Sequence, residues 1–96
     1  MAEFMLLMHG DTTAPEDGAA WDAYFSFLKR SGGFEGGSSM GDVRSYRRSG
    51  APAAAARLTG FLRVRAVDWA AAEALLEGNP VLAAGGTVEI RELVRD

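Results

Sequence analysis

Apolar residues run without a break from Phe4 to Met8, between Glu3 and the Gly10-Asp11 pair, and predict a strand over 3–9. Strand alternation puts Phe4, Leu6 and Met8 on one face and Met5 and Leu7 on the other. A strand apolar on both sides needs cover on both, and one layer of helices supplies only one. The next periodic stretch is helical. Trp21, Tyr24, Phe25 and Leu28 fall at i, i+3, i+4 and i+7, an amphipathic stripe expected to be core. Thr13 and Glu16 read as a capping box with Pro15 in the first turn; Lys29 and Arg30 complement the last turn, and Gly32 ends it.

The segment 34–40 is rich in glycine and serine, yet its place in the order argues for a strand whose glycines allow close approach. Residues 42–48 extend it or form a short partner, and 49–56 reads as an exposed loop, since Pro52 and the lack of a polar/apolar period oppose a helix. Leu58–Ala66 alternates again, with Thr59, Phe61, Arg63 and Arg65 on one face. Asp68 caps a second helix, with Val67 and Ala72 as its staple, and Gly78-Asn79-Pro80 stops it. Residues 83–86 turn the chain into a last strand over 87–94, where Val88 and Ile90 oppose Thr87, Glu89, Arg91 and Leu93. The order is βαββαβ. Crossovers of this kind land on one sheet face, so the other face invites a second copy of the chain.

Composition narrows the function classes. A length of 96 residues, 48% hydrophobic and 24% charged, suits one globular domain with one core. A net charge of −3 gives no global positive field for nucleic acid. The absence of cysteine removes disulfides, thiol catalysis and thiolate metal sites, and fits a reducing, cytoplasmic setting. The N-terminus has no basic leader or cleavage site, and five apolar residues fall far short of the roughly 20 that span a bilayer. Gly36-Gly37-Ser38-Ser39 lacks the order and ending of a phosphate loop, and one histidine makes no metal set, so no cofactor is expected.

Several stretches carry a family resemblance: Met5-Leu6-Leu7-Met8-His9-Gly10-Asp11, Trp21-Asp22-Ala23-Tyr24, Phe34-Glu35-Gly36-Gly37-Ser38, Leu58-Thr59-Gly60-Phe61, and 79–89 from Asn79-Pro80 through Gly85-Gly86. Together they resemble the YCII-related (YciI-like) proteins over nearly the whole chain. The resemblance implies a ferredoxin-like α+β fold, an antiparallel sheet with two helices on one face, paired as a dimeric α+β barrel. The family's activity is largely uncharacterised, with an aspartate and a histidine suspected as an active-site pair. Asp11 matches that aspartate. The helical histidine is missing, because that region reads Ala19-Ala20-Trp21, and the related Asp-Gly-Pro-Phe motif is absent.

Candidate chemistry centres on His9, the only histidine, with Asp11 two residues on as its orienting carboxylate in acid/base work. The competing role for His9 is a backbone bond that closes the sheet end. On the face away from the helices, Ser38, Phe61, Arg63 and Glu89 are the candidate substrate-binding set, with Arg91 nearby. The competing reading makes these charges cross-strand or dimer-interface pairs. Two functions stand: a homodimeric, cofactor-independent enzyme acting on a small organic molecule, or a non-catalytic dimer that binds a metabolite or serves another protein. Neither involves nucleic acid or a membrane.

Overall fold

The computed structural model describes residues 1–95. Along the chain come β1 (Ala2–His9), α1 (Gly18–Arg30), β2 (Phe34–Ser39), β3 (Leu58–Ala66), α2 (Trp69–Ala74), α3 (Pro80–Ala83) and β4 (Val88–Leu93). The strands form one antiparallel sheet in the order β2-β3-β1-β4. This is an α+β fold of the general ferredoxin-like kind. β1 sits inside the sheet, where Leu6 pairs with Leu62 on one side and Ile90 on the other.

One face of the sheet makes the core. Phe4, Leu6 and Met8 from β1 and Leu62, Val64 and Ala66 from β3 are buried, and Tyr24, Leu28, Ala72, Leu75 and Val81 cover them from the helices. The Tyr24 hydroxyl donates to the Leu75 carbonyl at 2.7 Å, tying α1 to the end of α2 inside the core. Burial pushes the Tyr24 phenol above its ordinary value, and the Asn79 amide beside it acts in the opposite sense.

Local signals hold where the side chain needs only its neighbours. Asp68 accepts from the Ala71 N–H at 2.8 Å and caps α2 as expected. Elsewhere long-range packing prevails. Helix α1 begins at Gly18 with Asp17 as its cap, not at Thr13, because the Thr13 and Ala14 N–H groups donate to the Ala84 carbonyl across the fold. Val67 is exposed and staples nothing. Residues 80–83, expected in a connection, form the short helix α3, where Asn79 Oδ1 caps the Val81 and Leu82 N–H groups and Pro80 opens the first turn. Residues 42–48 form neither a strand nor an extension of β2. Residues 41–56 are exposed throughout and have no helix or strand.

The core allows a direct comparison of two kinds of loss. Leu6→Ala deletes a fully buried side chain at the middle of the sheet and is expected to cost about 2–5 kcal/mol. Tyr24→Phe keeps the ring but strands a buried carbonyl, with an expected cost of about 1–3 kcal/mol. Urea unfolding of both variants measures the two, and a Tyr24→Phe midpoint equal to that of the parent would show that Leu75 is satisfied by other means.

Candidate functional site

The uncovered sheet face carries its side chains in rows set by the register. Ser38 stands opposite Phe61, Phe61 opposite Leu7, and Leu7 opposite Glu89, so three of the four candidate binding residues lie in one line across all four strands. The next row runs Arg63, Met5, Arg91. An apolar centre of Met5, Leu7 and Phe61 is thus flanked by polar and charged groups. Many of those charges are already engaged. Arg65 pairs with Glu35 at 2.5 Å, and Arg63 lies 3.7 Å from Glu3, which Arg95 approaches at 3.9 Å. These exposed cross-strand pairs contribute little stability singly.

His9 ends β1 after a register slip at Met8 and His9, and its backbone N–H donates to the Thr87 carbonyl at 2.9 Å. Its Nε2 meets Glu89 Oε1 at 2.5 Å, with the two side chains 19% and 30% exposed. The other Glu89 oxygen accepts from Arg91 Nε at 3.0 Å. The His9 bond first, and then the Arg91 bond, hold the Glu89 carboxyl below its usual range. Ionised Glu89 accepts a hydrogen bond from Nε2–H, and in the tautomer that carries this proton Nδ1 keeps its lone pair, the arrangement that general-base histidines use.

Asp11 does something else. Its Oδ1 accepts from the Thr87 N–H at 2.8 Å and its Oδ2 from the Thr87 hydroxyl at 2.6 Å. Those two bonds, ahead of any influence from His9, draw the Asp11 carboxyl below its ordinary value. The expected pairing of His9 with Asp11 is therefore replaced by two pairs, His9 with Glu89 and Asp11 with Thr87. The 79–87 segment closes on the same place. Gly85 has φ +84 and Gly86 lies against Val81, Thr12 and Asp11, so a side chain at either position meets the 11–13 loop. Asp11 is the clasp between the end of β1 and the start of β4.

A second feature lies toward the β2 edge of the sheet. A hollow of about 850 Å³ opens between α1 and the β2-β3 edge, with Trp21, Phe25 and Phe34 among its walls and Gly36, Gly37 and Gly60 along the strands. Ser38 and Phe61 also border it, whereas His9, Asp11, Arg63 and Glu89 do not. Glu16, Asp22 and Lys29 stand at its rim, and Glu16 accepts from the Trp21 indole N–H at 2.9 Å. The aromatic stripe of α1 is thus divided: Tyr24 and Leu28 are core, while Trp21 and Phe25 are only half-buried. Helical spacing alone does not reveal this division. The sequence signal is the missing side chains of Gly36 and Gly37 in the strand that faces the stripe. Likewise, parity placed Glu89 on the right face, but only the register put it beside His9.

Comparison with known proteins finds no matching family model, no similar curated protein and no similar solved structure. Among the described residues no helix is long and apolar enough to cross a membrane.

The Asp11 clasp has a pH signature. Its folded-state carboxyl titrates below its ordinary value of 3.8, so its contribution is present above that value and is lost as pH falls through the lower folded one. Asp11→Asn is therefore expected to lower the neutral-pH urea midpoint and to flatten its acid decline. Midpoints measured from pH 3 to 7 test this, and parallel curves for parent and variant would remove Asp11 from the clasp.

Proposed function

We propose that this chain is a YCII-related protein that acts as a homodimer on a small organic molecule without a cofactor, moving a proton through His9 with Glu89 as its partner. The observation that carries the reading is the partly buried His9–Glu89 hydrogen bond at the edge of a sheet face that has an apolar centre and no helices over it. A second copy laid on that face would cover Met5, Leu7 and Phe61 and enclose the pair, which lowers the local dielectric and strengthens its electrostatics. In the step proposed, Nδ1 of neutral His9 takes a proton from an acidic carbon of the substrate. Ionised Glu89 stabilises the imidazolium, and the same nitrogen returns the proton to the product. Phe61 and Ser38 would contact the substrate's body, and Arg63 or Arg91 its anionic end. Asp11 takes no part in the transfer.

A second reading, a non-catalytic dimer that binds a metabolite or serves another protein, draws support from the large hollow, which His9 does not border.

Solvent deuterium exchange into a small panel of carbon acids (an α-hydroxy ketone, a 2-oxo acid and a γ-lactone) separates the two. The enzyme reading expects exchange above background on one of them. His9→Gln should abolish it, Glu89→Gln should slow it by about 10²-fold or more, and Asp11→Asn should leave most of it. Exchange indifferent to His9, or none on any of the three, would favour the non-catalytic dimer.

A further inference from the structure

We infer that residues 41–56 of one copy reach over a second copy and set their basic and aromatic side chains into the hollow between its α1 and β2. The inference rests on the dimeric reading above and adds a second contact to it. All of 41–56 is exposed, and its one hydrogen bond among the described residues is internal, from Arg47 Nη1 to the Ala51 carbonyl at 3.2 Å. The radius of gyration is 14.6 Å, against the roughly 12–13 Å of a compact chain of this length. An arm with Val43 62% and Tyr46 86% exposed carries apolar surface that its own chain leaves largely uncovered.

Charge says what it fits. The arm has three arginines, Arg44, Arg47 and Arg48, against one aspartate, so it is +2 while the rest of the chain is −5. The hollow offers aromatic walls for a phenol or a guanidinium plane, with Glu16 and Asp22 at its rim and one opposing cation, Lys29. Neither Asp22 nor Lys29 has an ion-pair partner among the described residues. Sixteen residues going out and back reach roughly 25 Å, enough to pass beyond the edge of a small domain. Ser38 and Phe61 border the hollow and also belong to the uncovered sheet face, so the second copy that covers that face lies next to the hollow. The arm is rooted beside its own hollow, which Ser39 and Thr59 border, yet Val43 and Tyr46 stay exposed and do not fill it.

The chain has no cysteine, so introduced thiols report without background. Tyr46→Cys and Ser26→Cys, both exposed positions, are made as separate full-length variants, one of them isotopically heavy, then mixed and treated with a short bis-maleimide. Light scattering on the same sample gives the oligomeric state. The expected result is a dimer in which the mixed 26–46 link exceeds either self-link at least fivefold, and in which Asp22→Arg reduces that link about tenfold. A dimer without the mixed link overturns the arm contact and leaves the dimer standing. A third variant carries both substitutions in one chain; a 26–46 link that forms within it but not between the single variants shows closure on its own hollow and overturns the arm contact as well. A monomer overturns both readings.

Discussion

Phe4 to Met8 alternate between two environments. Phe4, Leu6 and Met8 meet the helices and make the core, while Met5 and Leu7 point to the side the helices never reach. A strand inside a sheet cannot turn one face away without losing its ladder, so the second apolar face is an unavoidable consequence of placing this sequence between β3 and β4. The organisation of the molecule follows. The helical layer is anchored on one side, and the other side keeps an apolar centre with paired charges around it, suited to contact with another surface.

The end of β1 carries the second constraint. β1 ends at His9, and the residues on either side of Gly10 take different partners. His9 stays in the sheet and meets Glu89 across the ladder; Asp11 leaves it and closes on Thr87. A carboxylate that already accepts two hydrogen bonds has less to offer an imidazole, whereas Glu89 is held ionised by Arg91 as well as by His9. The Asn79-Pro80 to Gly85-Gly86 run then has a physical reason. It builds the short α3 and brings backbone close enough to Asp11, Thr12 and Thr13 for the clasp to form.

The edge at β2 works by omission. Gly36 and Gly37 leave the aromatic side of α1 without a facing layer, and after Met40 the chain runs through 16 exposed residues, 41–56, without helix or strand. An edge strand with little side-chain bulk, a basic arm and an aromatic hollow are three features of one region. The proposed exchange of arms between copies satisfies them together.

The strands, the amphipathic α1 and the Asp68 cap were legible in the residues, because alternation, helical spacing and a side chain reaching its next turn are local effects. So were the two-faced apolarity of β1 and the face on which Glu89 lies. The start of α1 was not legible: Thr13 and Pro15 offer a good helix opening, but the carbonyl of Ala84, 71 residues away, takes the N–H of Thr13. Nor were the partners of His9 and Asp11, nor the division of the aromatic stripe between core and hollow. Periodicity says which face a side chain occupies, but its partner depends on the register of strands distant in sequence, and that register is decided only when the whole sheet closes.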